Sequence, residues 1–218
     1  MIKQLLKKMR TPFIPVLRRM GAAPAVLLDE YPDHPLLFTT YSEYLRTGHR
    51  RVPGGWIYEN VFYPDYITVG GASNAIERTA LQFCKGKGID VGASYWPLRG
   101  STPVDIASGT GVQNKIEDIP PESQDYVFSS HCLEHIADWE KALDAWISKL
   151  KKGGILFLYL PHPSCGLWKK TNPMMATHHV WTPAPEIIVK ALKKRKLKIV
   201  DNDNGPDHFY SFYVCAKK

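Results

Sequence analysis

Residues 125–163 read DYVFSSHCLEHIADWEKALDAWISKLKKGGILFLYLPHP, and their pattern sets the fold class. The ends of this stretch, 126–130 and 155–160, are short apolar runs of the kind that buried parallel strands show. Between them Trp139, Ala142, Leu143, Trp146, Ile147 and Leu150 recur at three- and four-residue spacing, which predicts a helix over 138–150. Gly153 and Gly154 lie just past its end as stop signals. The order is strand, helix, strand.

The same alternation extends in both directions. Upstream, Ile76, Ala80, Phe83 and Cys84 follow one helical face and predict a helix over 72–84, before apolar runs at 88–91 and 104–107. Downstream, Pro183 or Pro185 opens a helix over 186–194, followed by strands at 198–200 and 209–216. Strands alternating with helices specify an α/β fold with a largely parallel sheet covered on both faces. Before residue 70, prolines and aromatics such as Pro32, Pro35, Trp56, Tyr58 and Phe62 break any long period, so this part reads as an irregular cap with short helices. Ile2, Leu5, Leu6 and Met9 predict a short amphipathic helix at the start, stopped by Thr11 and Pro12.

Composition narrows the class. The 218 residues are 44% hydrophobic and 22% charged, an ordinary globular mix in which a core can form. The longest apolar runs, such as 155–161, fall far short of the roughly 18 residues of a membrane span, and the start lacks the features of a signal peptide. A cytoplasmic protein is expected. Cys84, Cys132, Cys165 and Cys215 are widely spaced and read as reduced thiols or core fillers. The net charge of +7 is concentrated in residues 1–28, with Lys3, Lys7, Lys8, Arg10, Arg18 and Arg19, and in the cluster Lys190, Lys193, Lys194, Arg195, Lys196 and Lys198. Such clusters suit nucleic acid, anionic lipid or a phosphorylated substrate, or are simply solvated helix faces.

Two strand ends carry candidate chemistry. Gly88-Ile89-Asp90-Val91-Gly92-Ala93-Ser94 ends in a glycine and small residues, so backbone can approach a ligand at the carboxyl end of a strand. Any tight turn after a strand has the same form. Asp105 ends the next apolar run, where a carboxylate can accept hydrogen bonds from both hydroxyls of a ribose, or bond its own loop backbone. Only 13 residues separate Gly92 from Asp105, against about 20 in the dinucleotide fingerprint, so strand, loop and strand fit between them and a long helix does not.

Asp125-Tyr126-Val127, Leu133-Glu134-His135, the 138–150 helix, Lys152-Gly153-Gly154 and the strand ending at Leu160-Pro161 stand together in one order. Over residues 72–217 the chain thereby resembles the class I S-adenosylmethionine-dependent methyltransferases, particularly the LEH-motif subgroup found among glycan and small-metabolite enzymes. The resemblance implies a Rossmann-like, mostly parallel sheet of the seven-stranded type over 71–218, here with shortened early helices, behind a basic arm and cap over 1–70. It implies S-adenosylmethionine as cofactor. The Gly92 turn, with Asp90, Ala93 and Ser94, would face its methionine part, Asp105 its ribose, and Glu117 and Asp118 its adenine. Ser130 and His131 would border the sulfonium and the acceptor.

Methyl transfer from a sulfonium needs alignment first and a base only where the acceptor must lose a proton. His131, at a strand end, is the first candidate base and His162 the second; each can instead be a structural histidine. Glu134 and His135 are expected to tie their loop to the following helix. His178 and His179, with no Cys or carboxylate at ligand spacing, are not expected to bind zinc, and their loop reads as a lid. Trp96, Tyr159, Trp168 and Trp181 could stack on a sugar or ring, or lie in the core.

The turn lacks the second glycine usual in the resembled family. Three functional classes therefore remain: methyl transfer to an oxygen or nitrogen of a small molecule or glycan, the same chemistry on a nucleic acid, and a noncatalytic binding protein on a decayed fold. Homo-oligomerisation stays open.

Overall fold

The computed structural model describes residues 50–52, 54–67, 70–105, 115–169, 172 and 178–218. The helix expected at residues 1–10, the basic arm and Met174 and Met175 lie outside them. Strands β1 (Arg50–Val52), β2 (Gly55–Tyr58) and β3 (Val61–Pro64) form a three-stranded antiparallel sheet. Residues 1–49 lie outside the described residues, and within the expected cap over 1–70 the part at 50–64 is thus a meander rather than irregular chain with short helices. Its hairpin turns at Glu59 and Asn60, both with positive φ (49° and 63°), a conformation that matches the twist of paired strands. Neither residue is glycine, which hides the turn from sequence.

The main sheet has six strands: β4 (Gly88–Val91), β5 (Thr102–Val104), β6 (Gln124–Ser130), β7 (Leu150–Pro161), β8 (Lys198–Asp203) and β9 (Ser211–Lys217), in the spatial order β5-β4-β6-β7-β9-β8. The first four pair in parallel, and β9 runs antiparallel to both β7 and β8. This is a Rossmann-like mixed sheet with six strands among the described residues rather than seven. Among the described residues three α-helices flank it: α1 (Ala72–Phe83), α2 (Trp139–Lys149) and α3 (Pro185–Lys194). No helix among the described residues is long and apolar enough to cross a membrane.

Strand periodicity sorts the core into two chemistries. Tyr126, Phe128, Phe157 and Tyr159 point to one face, where the small side chains of α1, Ala72 and Ala80, leave room for the rings. Val127, Leu156, Leu158 and Leu160 point to the other and pack on Leu143 and Trp146 of α2 and Ile188 and Leu192 of α3. All four cysteines are buried free thiols, and burial pushes each above its ordinary pKa, so they fill the core as expected and are unreactive.

Boundaries shift where glycine was read as punctuation. β7 starts at Leu150, paired with Gln124, and absorbs the glycine pair inside the strand. Gly153 adopts φ +81° there, and its N–H bonds the Lys218 carbonyl at 2.9 Å.

The basic cluster of 190–198 is partly neutralised. Arg195 donates to Asp144 at 2.6 Å and to the Glu140 carbonyl at 2.9 Å, joining α3 to α2, and Lys194 lies 3.6 Å from Glu140. The cluster precedes and opens β8, which runs in the same direction as β7, so it sits at the amino ends of the parallel strands. Arg195→Ala should lower unfolding free energy by about 1 kcal/mol in a urea titration, the scale of a partly exposed ion-pair network. A loss above about 3 kcal/mol would mean the side chain carries packing that these contacts do not describe.

Candidate active site

The glycine bend and the neighbouring carboxylate meet. β4 ends at Val91, and Gly92 turns the chain with φ +78°. A Cβ on Gly92 would lie 2.5 Å from both Cβ and Sγ of Cys132, so this close approach requires glycine. The Gly92 and Ala93 N–H groups both point to the Val104 carbonyl, at 2.8 and 3.4 Å. One residue later, Asp105 accepts the Ser94 N–H at 2.9 Å through Oδ2. Backbone and side-chain bonds thus lock the turn after β4 to the end of β5. Asp90 is buried and its Oδ2 accepts the Leu98 N–H at 2.7 Å, which fixes the loop that follows.

These strand ends open into a cavity of about 440 Å³. Of the residues singled out from sequence, Asp90, Gly92, Ala93, Ser94, Asp105, Ser130 and His131 line it. The hydroxyl of Ser130 is buried and has no hydrogen-bond partner among the described residues. Trp96 and Trp168 also line it, whereas Tyr159 lies in the core and Trp181 stacks on Trp139 with ring centroids 4.5 Å apart.

Three other sequence candidates are not brought to the cavity. Glu117 and Asp118 are exposed in a 3-10 turn, where Asp118 accepts the Lys115 N–H at 3.2 Å. Short-range capping holds that carboxylate. His162 follows β7, but its Nδ1 bonds Ser164 Oγ at 2.7 Å and its ring meets Phe212 edge-on. β7 continues to Pro161, past the Ser130–Tyr159 pair that ends its ladder with β6, and His162 is not among the residues lining the cavity.

The sequence reading missed the opposite wall. Gly70, Gly71, Ala72 and Ser73 bring the amino end of α1 to the cavity, where the helix dipole makes that end electropositive and no side chain caps it. The glycine pair directly before a helical period was the available signal. Ile67, Ile136 and Phe209 complete the apolar lining, and no local pattern marks them.

Below the cavity lies a cluster around Glu134. Its side chain is fully buried and neither carboxylate oxygen has a hydrogen-bond partner among the described residues. Oε1 stands 3.6 Å from His131 Nδ1, 3.8 Å from His135 Nε2 and 3.9 Å from His179 Nε2. Burial raises the Glu134 pKa to about 8. Burial likewise lowers His131 well below its ordinary value and His179 to about 3, with neighbouring imidazoles adding to both shifts. The imidazoles are neutral at physiological pH. The expected tie of Glu134 to its loop is thus also a meeting of three rings, and a carboxylate does stand beside His179, supplied by a residue 45 positions earlier. His131 has φ +48°, unusual for a residue with a Cβ, and its N–H bonds the Tyr159 carbonyl at 2.9 Å.

A family profile described as a methyltransferase domain matches residues 56–202. No curated protein matches the chain. Among solved structures, a SAM-dependent methyltransferase from Aquifex aeolicus superposes with TM-score 0.51 at 16% identity, over 72% of this chain and 99% of that one. A SAM-dependent methyltransferase from Thermotoga maritima, described as a possible histamine N-methyltransferase, gives 0.50 at 18%, over 66% and 88%. At these identities the likeness concerns the fold.

Proposed function

Since this chain belongs to the class I S-adenosylmethionine-dependent methyltransferases, we propose that it methylates an oxygen or nitrogen of a small molecule or glycan. S-adenosylmethionine is its cofactor, and it supplies an activated methyl group whose sulfur leaves without protonation. The observation that carries the reading is the bonded union of the Gly92 turn and Asp105 at the mouth of one cavity. The volume of about 440 Å³ lies within the range of small-molecule sites. The Ser130 hydroxyl, without a hydrogen-bond partner among the described residues, fits a ligand that offers polar groups.

In this reading the Asp105 carboxylate accepts the ribose hydroxyls, and the Gly92 to Ser94 backbone with the amino end of α1 receives the amino-acid part. Glu117 and Asp118 have no part in it. His131 is the proposed base. When Ser211 Oγ donates to the Phe209 carbonyl at 3.1 Å it accepts from His131 Nε2 at 2.8 Å, and the basic lone pair is then on Nδ1, which faces Glu134 Oε1 at 3.6 Å. Trp96 and Trp168 flank the acceptor. The apolar, partly aromatic lining favours a small acceptor over nucleic acid, and the described basic cluster lies at the opposite edge of the sheet.

Calorimetry with S-adenosylhomocysteine should give micromolar affinity; a well-folded chain that releases no heat would defeat the reading. Label from methyl-labelled cofactor should then enter the low-mass or glycan fraction of a cell extract, and exclusive labelling of RNA or DNA would replace the acceptor class. His131→Asn, compatible with the left-handed backbone at that position, should reduce labelling at least about tenfold while leaving S-adenosylhomocysteine affinity unchanged. Unchanged labelling would remove His131 as base.

A further inference from the structure

We propose that Glu134, His135 and His179 form a binding site for one divalent transition-metal ion of the zinc class, at the edge of the cavity. The proposal does not depend on methyl transfer. Its ground is the direction in which the ring nitrogens are forced to point. His135 Nδ1 lies 2.9 Å from the His178 carbonyl, and His179 Nδ1 lies 2.7 Å from the Trp168 carbonyl. A carbonyl only accepts, so both Nδ1 atoms carry the proton and both Nε2 atoms present bare lone pairs. Both Nε2 atoms face Glu134 Oε1, at 3.8 and 3.9 Å, and one ligand atom from each of the three residues lies within 4.8 Å of the other two.

A carboxyl group and two ring lone pairs have thus been gathered around one point, with Glu134 and His179 buried and His135 exposed. A single proton on Glu134 cannot serve both rings, and the separations of 3.8 and 3.9 Å exceed a hydrogen bond. A cation satisfies all of them together. Two imidazoles and one carboxylate form a donor set that zinc uses with an open fourth position. Around a tetrahedral ion, ligand atoms at 2.0–2.1 Å stand about 3.4 Å apart, so each ring nitrogen closes by roughly half an ångström on Glu134, and the two histidine ligand atoms, within 4.8 Å of each other, by at most about 1.4 Å. Ligating histidines characteristically donate their other ring N–H to a carbonyl or carboxylate, as both do here. His135 and His179 line the cavity, so the open position can face it.

The test uses the full chain. Purified without chelator, it should carry close to one zinc per chain by elemental mass spectrometry. After removal of that metal, titration with Co²⁺ should develop the visible absorption of a tetrahedral site at one equivalent. Glu134→Gln and His179→Ala should each weaken Co²⁺ binding at least about 100-fold, and His162→Ala, away from the cluster, should not. Should either cluster variant fail to fold, the native titration decides by itself. Absence of both retained metal and cobalt absorption in the native chain overturns the site, as does full cobalt binding by folded Glu134→Gln and His179→Ala proteins.

Discussion

Asp105→Ala is expected to weaken S-adenosylhomocysteine binding about 100-fold or more in calorimetry, while the chain still folds. In the proposed reading the carboxylate is a charged acceptor for two ribose hydroxyls. Hydrogen bonds to a charged group contribute roughly 1.5–3 kcal/mol each, and two at the lower end already amount to about two decades in affinity. The folded state loses less. The bond to the Ser94 N–H is lost, and water entering a cavity wall can replace it, so unfolding free energy should fall by about 1 kcal/mol. Asp105→Asn keeps one acceptor oxygen and should sit between, near tenfold. Equal affinity in native and Asp105→Ala proteins would detach this residue from the cofactor and would weaken the argument from the joined strand ends.

Replacing Gly92 by valine should do more damage, because it strikes fold and site together. The left-handed φ of +78° costs a residue with a Cβ about 1–2 kcal/mol, and β-branching adds to that. The new Cβ would also start 2.5 Å from the buried Cys132 side chain, and overpacking of this kind costs about 1–3 kcal/mol. A combined loss near 3 kcal/mol should lower the thermal midpoint by about 6–12 °C in a chain of this size. Nucleoside binding should vanish, since any relief moves the turn away from Asp105. Gly92→Ala should be milder, and adding Cys132→Gly to it should restore the steric share but not the backbone share. A Gly92→Val chain with native midpoint and native affinity would contradict the turn geometry.

Much of the fold was legible in local pattern. The runs of β4, β6 and β7, and the faces of all three helices, repeat with the period of the structure they adopt, because each buries a face against the same sheet. The β2–β3 hairpin was not legible. Glu59 and Asn60 enter the left-handed region under the constraint of strand pairing rather than through glycine. His162 misled for a related reason: a histidine after a strand says nothing about how far that strand projects beyond its neighbours.

The sequence alone determined the alternation of strands and helices, the glycine bend, the carboxylate after β5 and the family resemblance, all of which reside in short contiguous runs. Only the tertiary structure decided that Asp105 bonds the Gly92 turn, that α1 closes the cavity from the far side, and that Glu134 meets His179 from 45 positions away. Periodicity is a local property of the chain, whereas the direction of a lone pair depends on which distant carbonyl takes the opposite ring proton, and that is settled only when the loops close on one another.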